Sequence, residues 1–152
     1  MRTEATRAAA TDAQPIRIER EADPPLADLL ALYDSVGWTA YTEHPETLSA
    51  AIRGSSFVAA AWAGTRLVGL ARALSDDATI MYLQDILVAP SHHRRGVGKA
   101  LAEAVLDRFR HVRQKVLLTD DDLSQKCFYE TLGFTQVGTD GAERLRSFVI
   151  LG

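Results

Sequence analysis

The chain has 152 residues, a formal net charge of −3 at pH 7 and 47% hydrophobic residues, values typical of one globular domain that can bury a core. This acidic balance argues against bulk binding to nucleic acid or to a membrane surface. No apolar run reaches the length of about 18 residues that predicts a membrane span. The single cysteine, Cys127, excludes an internal disulfide and is typical of a reducing, cytoplasmic compartment.

The N-terminal part of the chain predicts a tail, a strand and two helices. Residues 1–14 are polar and alanine-rich without the apolar core of a signal peptide, so we expect a flexible tail before one domain at 15–152. Alternating residues predict a strand at Ile16–Arg20. A helix is expected to begin after Pro25 and to end at Gly37, and residues 39–44 are expected to form a loop before a second helix opened by Pro45.

The rest of the chain predicts a sheet with two further helices. Residues 56–74 indicate a hairpin, and 79–90 a longer strand that Pro90 ends. Apolar residues at helical spacing follow from Val97, and a short strand then precedes a helix that ends at Gly133. The segment 144–151 predicts a last strand. The order βααβββαβαββ predicts an α+β (mixed α/β) fold, with a central, mostly antiparallel twisted sheet of about six to seven strands flanked by about four helices.

The stretch SHHRRGVGKAL at 91–101 lies between a predicted strand and a predicted helix. Glycines at the mouth of a helix let the backbone approach a ligand closely, and the free N–H groups of the first turn favour an anion. Arg94, Arg95 and Lys99 add positive charge. These features predict a pyrophosphate-binding turn, although Gly96 and Gly98 by themselves would equally suit a tight structural turn.

Spacing excludes three other sites for this stretch. A P-loop requires Ser or Thr after Gly-Lys, and here Ala100 follows Lys99. A dinucleotide fingerprint requires a third small residue where this chain has Leu101. The adjacent His92 and His93 match no metal-ligand spacing, so no metal is expected.

Two motifs at the expected separation resemble a known family. Val88–Leu101 is similar to motif A of the GNAT superfamily of acyl-CoA-dependent N-acyltransferases, V-x-P-x-x-[QR]-x-x-G-x-[GA]. FYETLGF at 128–134 is similar to its motif B, F-Y-x-x-x-G-F, and the element order resembles that fold from Ile16 onward. This chain departs from the pattern at His93, where the motif prefers Gln or Arg, and near 122–124, where motif B often carries an Asn.

The resemblance implies that acetyl-CoA (coenzyme A) is the co-substrate, without a metal. Main-chain amides of motif A would hold the pyrophosphate, and the preceding strand would pair with the pantetheine arm, with the Val88 N–H polarising the thioester carbonyl. The cofactor-binding residues implied in this way are Leu87, Val88, His93, Arg94, Arg95, Gly96, Val97, Gly98, Lys99 and Ser124.

Tyr129 in motif B is the expected general acid. A phenol has a pKa near ~10, so it can return a proton to the departing thiolate. The alternative is that Tyr129 is an amphipathic packing residue with a satisfied hydroxyl. Cys127 is expected to be a small core residue on the apolar side of its helix, and not an acyl-carrying nucleophile.

The general base is less specified by the sequence. Asp85 lies among apolar neighbours on the strand before motif A, where burial would raise the pKa of an acid, but it could equally bind backbone or a partner. Glu43 and His44 are alternatives on the substrate side. They belong to DSVGWTAYTEH at 34–44, which resembles the substrate loop of one bacterial GNAT branch and in which Trp38 and Tyr41 would suit an amine.

Three functions remain open at the level of sequence. The leading hypothesis is an N-acetyltransferase that acts on a primary amine of a small molecule by direct attack in a ternary complex. A second keeps this chemistry for a protein lysine or a peptide N-terminus, and a third is a non-catalytic acyl-CoA-binding module. No nucleic acid or membrane partner is expected, a homodimer is left open, and the acceptor amine is not specified.

Overall fold

The computed structural model describes residues 14–138 and 145–151. The predicted tail, apart from Gln14, therefore lies outside the described residues. The chain divides between Leu117 and Leu118 into two compact units. The first contains the sheet with its helices, and the second contains the last helix and the C-terminal segment.

The first unit contains five strands and four helices. The strands are β1 (Ile16–Arg20), β2 (Phe57–Ala63), β3 (Arg66–Ser75), β4 (Ile80–Val88) and β5 (Gln114–Leu117). The helices are α1 (Leu26–Ser35), α2 (Thr39–Thr42), α3 (Pro45–Arg53) and α4 (Val97–Arg108), with a 3₁₀ turn at Pro90–His92. The second unit contributes α5 (Leu123–Thr131).

The strands form one sheet in the order β1-β2-β3-β4-β5. The first three pairings are antiparallel and β4 pairs with β5 in parallel. The mixed, mostly antiparallel fold is thus confirmed. The β3–β4 register shifts after Arg72, so that Asp85 lies opposite Arg72, Leu83 lies opposite Ala73, and Gln84 is the extra residue of a bulge.

The predicted number of six to seven strands is wrong for the described residues, which form five strands. The segment 145–151 has no regular secondary structure, and its apolar side chains are exposed, with Phe148 at 93% and Ile150 at 100%. A strand requires a neighbouring ladder for its backbone groups, and the described residues pair no strand with this segment. The predicted loop at 39–44 also differs, because Thr39–Thr42 form the single helical turn α2.

A close approach at Gly69 places α4 against one face of the sheet. A Cβ at this position would lie 2.9 Å from the Leu101 Cδ1 atom and 3.2 Å from the Val97 Cγ1 atom. The missing side chain therefore lets the first turns of α4 pack directly on β3. This contact fixes where the N-terminus of α4 lies relative to the end of β4.

Gly37 ends α1 and turns the chain back over it. Gly37 has φ +78°, its N–H donates to the Asp34 carbonyl at 3.0 Å, and the Trp38 N–H donates to the Tyr33 carbonyl at 3.1 Å. These two bonds form a Schellman cap, which requires a left-handed residue at the Gly37 position. The cap brings the Trp38 indole back against Tyr33, with ring centroids 5.9 Å apart.

Candidate functional site

The segment between β4 and α4 reverses direction at two left-handed residues. Arg94 has φ +58° and Gly96 has φ +77°. Gly96 is the N-cap of α4 and no side chain caps the helix there. A Cβ on Gly96 would meet no protein atom within 4 Å, so the glycine is required for its backbone conformation and leaves open space beside the helix start.

This turn has the donor set that a diphosphate requires. The N–H groups of Val97, Gly98 and Lys99 have no acceptor within the helix because they belong to its first turn. The side chains of Arg94, Arg95 and Lys99 are exposed around them, and Lys99 is engaged only loosely with Glu103, at 3.7 Å on the surface. The backbone donors and the positive charge together fit the diphosphate of acetyl-CoA.

His93 contacts the backbone of β4. Its Nε2 atom lies 2.7 Å from the Val88 carbonyl oxygen, so the imidazole bridges the turn and the end of the strand. This contact accounts for the histidine at the position where the sequence motif prefers Gln or Arg. The side chain stabilises the turn, and the anion donors are left to the backbone.

In the part of the chain that the structure describes, the C-terminal end of β4 lacks a paired strand on the β5 side. Pairing with β5 ends at Leu83 opposite Leu117, and the Ala89 N–H donates to the Val68 carbonyl of β3 at 2.8 Å. Since successive backbone groups alternate in direction, the Val88 N–H points away from β3, toward the side that β5 leaves unpaired. In the described residues no strand pairs with this edge beyond Leu83, and its backbone groups fit an extended amide chain.

Asp85 is the centre of a buried polar cluster. Its side chain is 3% exposed. Oδ2 accepts hydrogen bonds from Arg72 Nε and from the Tyr33 hydroxyl, the latter at 2.9 Å, and Oδ1 accepts one from the Tyr41 hydroxyl at 2.9 Å. Burial alone lowers the pKa of the Arg72 guanidinium, but the Asp85 carboxylate more than offsets this, and the pKa is raised.

An aromatic cluster covers this carboxylate. The Tyr33 and Tyr41 ring centroids are 5.0 Å apart, and Trp38 stacks on Tyr41 at 6.0 Å with an interplanar angle of 28°. Tyr33 is fully buried, whereas Trp38 is 36% exposed and Tyr41 is half-buried. Burial and the adjacent Asp85 raise the pKa of both phenols. Glu43, at the end of α2, is exposed and has no contact with the cluster among the contacts that the structure describes.

The second unit holds Tyr129. The phenol is 7% exposed and packs edge-on against Phe128 and Phe134, at 5.1 and 6.0 Å between centroids. Burial raises its pKa to about 12, which a hydrogen bond with the Thr119 side chain partly counteracts. Tyr129 therefore stays protonated at neutral pH and can act as a proton donor.

One expectation for α5 is wrong, and a second stays a prediction. Cys127 is exposed, and the predicted buried position is wrong because the buried face of the helix is centred on Tyr129. Ser124, expected to contact the cofactor, donates its backbone N–H to the Asp122 carboxylate at 2.7 Å, and its hydroxyl contacts the same oxygen. Ser124 thus takes part in the capping of α5 by Asp122, and its contact with the cofactor stays a prediction.

The structure brings together three of the predicted residues, Asp85, Trp38 and Tyr41, and adds two that the sequence analysis missed, Arg72 and Tyr33. A signal for Arg72 was available, because it is the single charge inside the apolar run LVGLARAL of β3. A buried charge requires a partner, and Asp85 is the acid of the next strand. Tyr33 gave no such signal, since its spacing in α1 is that of a core residue.

The described residues, 14–138 and 145–151, lack two features. They contain no group of three or more His, Cys, Asp or Glu side chains that could hold a metal ion. None of their helices is both long and apolar enough to cross a membrane.

Comparison with known proteins gives a consistent family. Residues 29–149 match the model of the acetyltransferase (GNAT) domain. Histone acetyltransferase TAP1 from Glycine max is 34% identical over 126 residues, which are 74% of this chain and 52% of that protein. The chain thus spans about half the length of this relative.

Solved structures agree in fold. The GNAT family acetyltransferase SP0256 from Streptococcus pneumoniae TIGR4 superposes with a TM-score of 0.77 at 27% identity, over 91% of this chain and 98% of that one. AAC(6')-Iy, in complex with a bisubstrate analogue of CoA, gives a TM-score of 0.68 at 18% identity, over 91% and 100% of the two chains. At 18% identity this second likeness shows the fold alone.

Proposed function

The chain belongs to the GNAT family of acetyltransferases, and on that premise we propose that it transfers the acetyl group of acetyl-CoA to a primary amine of a small molecule. The observation that supports this most is the turn at 93–99, where backbone donors and three basic side chains adjoin the open edge of β4. Acetyl-CoA supplies the activated acetyl thioester.

In this proposal the turn binds the diphosphate of acetyl-CoA and the edge of β4 binds its pantetheine arm. The amides of Val97, Gly98 and Lys99 bind the diphosphate, and Arg94 and Arg95 add charge from the surface. Leu87 and Val88 pair with the pantetheine arm as an added strand. The Val88 N–H, which points away from β3, donates to the carbonyl oxygen on which negative charge develops during attack by the amine.

Tyr129 is proposed as the general acid that returns a proton to the departing sulfur. Its high pKa keeps the phenol protonated throughout the neutral range, so the proton is present when the thiolate forms, but it also makes the phenol a weaker acid than an ordinary tyrosine. Asp85 was predicted as the base. Its burial and its three hydrogen-bond donors favour a charge that orders its neighbours over one that exchanges protons with an acceptor.

A protein lysine or a peptide N-terminus is the second candidate acceptor. The name of the soybean relative, a histone acetyltransferase at 34% identity, favours it. An assay of free CoA thiol distinguishes the two candidate acceptors, because thiol release can be followed with small amines and with lysine peptides in parallel. Faster turnover of peptides than of any small amine would replace the leading proposal by the second one.

Binding of acetyl-CoA is the first test. A ligand at ~100 times its dissociation constant stabilises the folded state by about 2.7 kcal/mol, so millimolar acetyl-CoA should raise Tm by several degrees in a thermal unfolding experiment. Desulfo-CoA and adenosine separate diphosphate binding from nucleoside binding. The absence of any shift with acetyl-CoA would contradict the proposal, and a shift without turnover of any acceptor would instead support an acyl-CoA-binding module.

A further inference from the structure

We propose that the Arg72–Asp85 ion pair is a positioning element that fixes Tyr41 and Trp38 as an aromatic surface, on which the acceptor binds through its ammonium group. This inference rests on the proposed function, because it concerns the acceptor side of the same reaction. It assigns Arg72 and Tyr33 to the site and gives Asp85 a role other than that of a base.

Asp85 is closed to an acceptor. The carboxylate is 3% exposed, and each of its oxygens accepts at least one hydrogen bond from a protein donor. Its charge is compensated by Arg72, whose side chain is 7% exposed. A proton taken from an acceptor would therefore have to reach a buried carboxylate whose two oxygens already accept hydrogen bonds from the protein and which is paired with Arg72.

The ion pair determines where Tyr41 lies. Tyr41 belongs to α2, a helix of four residues, which is too short to be stable without tertiary contacts. The hydroxyl bond to Asp85 Oδ1 and the ring contact with Tyr33 provide such contacts. Tyr33 is bonded to Asp85 Oδ2, so both phenols are oriented by one carboxylate, which the bulge at Gln84 places opposite Arg72.

The exposed rings have the chemistry that an ammonium group requires. Trp38 and Tyr41 stack with part of their surface open to solvent. The Tyr41 hydroxyl donates a hydrogen bond to a carboxylate, which makes its ring more electron-rich. The faces of indole and phenol rings attract cations. The side chains that face the Tyr41 hydroxyl are Asp85 and Gln84 from β4, Arg72 from β3 and Tyr33 from α1, and none of them is a free carboxylate. An acceptor ammonium would therefore bind to ring faces.

The decisive variant removes both charges of the ion pair. Asp85→Asn alone leaves the Arg72 charge buried without a counterion and is expected to lower Tm strongly, whereas the double variant Arg72→Gln with Asp85→Asn restores neutrality and keeps the fold. For a positioning element the double variant should lower kcat by less than about tenfold and raise the acceptor KM by about fivefold or more, with the KM for acetyl-CoA unchanged. A general base would instead lose about 10²- to 10⁴-fold in kcat, and that result in a folded double variant would overturn the proposal.

A matched pair of hydroxyl deletions gives a second readout. Tyr41→Phe and Tyr33→Phe each remove one hydrogen bond to Asp85, but only the Tyr41 ring is open to solvent. We expect Tyr41→Phe to raise the acceptor KM and Tyr33→Phe to lower Tm with a smaller change in KM. Equal increases in the acceptor KM for the two variants would contradict the assignment of the surface to Trp38 and Tyr41.

Binding can be tested without turnover, so that failure here is distinct from failure of the proposed function. Choline and its uncharged isostere 3,3-dimethylbutanol are titrated against the intrinsic tryptophan fluorescence of the protein loaded with CoA. Choline should bind about 2- to 5-fold more tightly than the alcohol, the factor expected for an exposed cation–π contact. Trp38→Leu, which retains Trp62, should abolish the difference, and equal affinities in the wild-type protein would overturn the proposal even if amines are acetylated.

Discussion

Gly96 and Gly37 are two single residues in the same backbone conformation at different sites. Their φ angles are +77° and +78°, and at neither position would a Cβ meet a protein atom within 4 Å. A side chain therefore costs the strain of a left-handed backbone at both positions, and only at Gly96 does it also enter the space beside the proposed diphosphate site. The two glycines form a natural test and control.

Gly96→Val is expected to weaken acetyl-CoA binding by more than tenfold while the protein stays folded. Gly37→Val should cost a similar amount of stability, on the order of 1–2 kcal/mol, and leave acetyl-CoA affinity unchanged. Thermal unfolding and calorimetric titration of both variants measure the two quantities. Equal acetyl-CoA affinities for Gly96→Val and Gly37→Val would show that Gly96 is required for folding geometry alone.

Tyr129→Phe removes the proposed proton donor and keeps the ring that packs against Phe128 and Phe134. We expect kcat to fall about 10²-fold or more, as is typical when a general acid is lost, with little change in the KM for acetyl-CoA. The raised pKa of about 12 adds a pH criterion. The wild-type enzyme should show no loss of activity from Tyr129 ionisation below about pH 11, and an unchanged kcat in the variant would remove Tyr129 from the mechanism.

At the scale of elements, the contact between β3 and α4 connects the core to the proposed cofactor turn. Leu101 and Val97 lie against Gly69 at distances that leave no room for a side chain. Because protein interiors are close-packed, an added methyl group displaces its neighbours. A side chain added at Gly69 would therefore be felt at the start of α4, because Val97, whose amide is a proposed diphosphate donor, lies 3.2 Å from the position of the added Cβ.

Gly69→Ala is expected to lower the unfolding free energy by about 1–3 kcal/mol through overpacking. Leu101→Ala by itself should cost about 2–5 kcal/mol because it leaves a cavity. Since the new methyl group would fill part of that cavity, the double variant should cost less than the sum of the single variants. Strict additivity in urea denaturation would contradict the contact between these two positions.

The register of β3 and β4 shows how far the sequence could specify the site. The glycine turn, the helix that follows it and the motif around Tyr129 were each predicted from a local pattern whose residues lie close together in the sequence. The pairing of Arg72 with Asp85 does not, because a bulge at Gln84 shifts the ladder by one residue, and such a shift moves side chains to the opposite face. The apolar pattern of 144–151 was equally insufficient, since β pairing also requires a partner strand.

At the scale of the whole molecule, hydrogen bonds of the folded state lower the pKa of surface carboxyl groups in both units. Hydrogen bonds from Thr79 and from the following backbone amides hold the pKa of Asp76 below its ordinary value of 3.8. A hydrogen bond from Arg108 does the same for the pKa of Asp77, and one from Ser124 for that of Asp122. Asp76 and Asp77 lie in the β3–β4 turn and Asp122 lies at the start of α5. A fall in pH is therefore expected to lower the stability of both units.

The free energy of unfolding should therefore decrease as the pH falls below about 4. A carboxyl group whose pKa is below 3.8 in the folded state binds fewer protons there than in the unfolded state. Its contribution to the free energy of unfolding is therefore complete above the unfolded pKa of about 3.8, and it is lost as the pH falls through the folded pKa. Urea denaturation at pH 7, 4 and 3 should give a decreasing free energy of unfolding. Asp76→Asn should flatten this dependence below pH 4, and an unchanged slope would contradict the role of its hydrogen bonds.

The cap of α1 has a further consequence. The Trp38 amide proton closes the end of α1 on the Tyr33 carbonyl, and the indole of the same residue belongs to the exposed aromatic surface. Fraying of this helix end would therefore displace the aromatic surface as well. The rate at which that one amide exchanges with deuterated water is accordingly a local reporter of both events, and an occupied surface would slow the exchange at Trp38 without any chemical step.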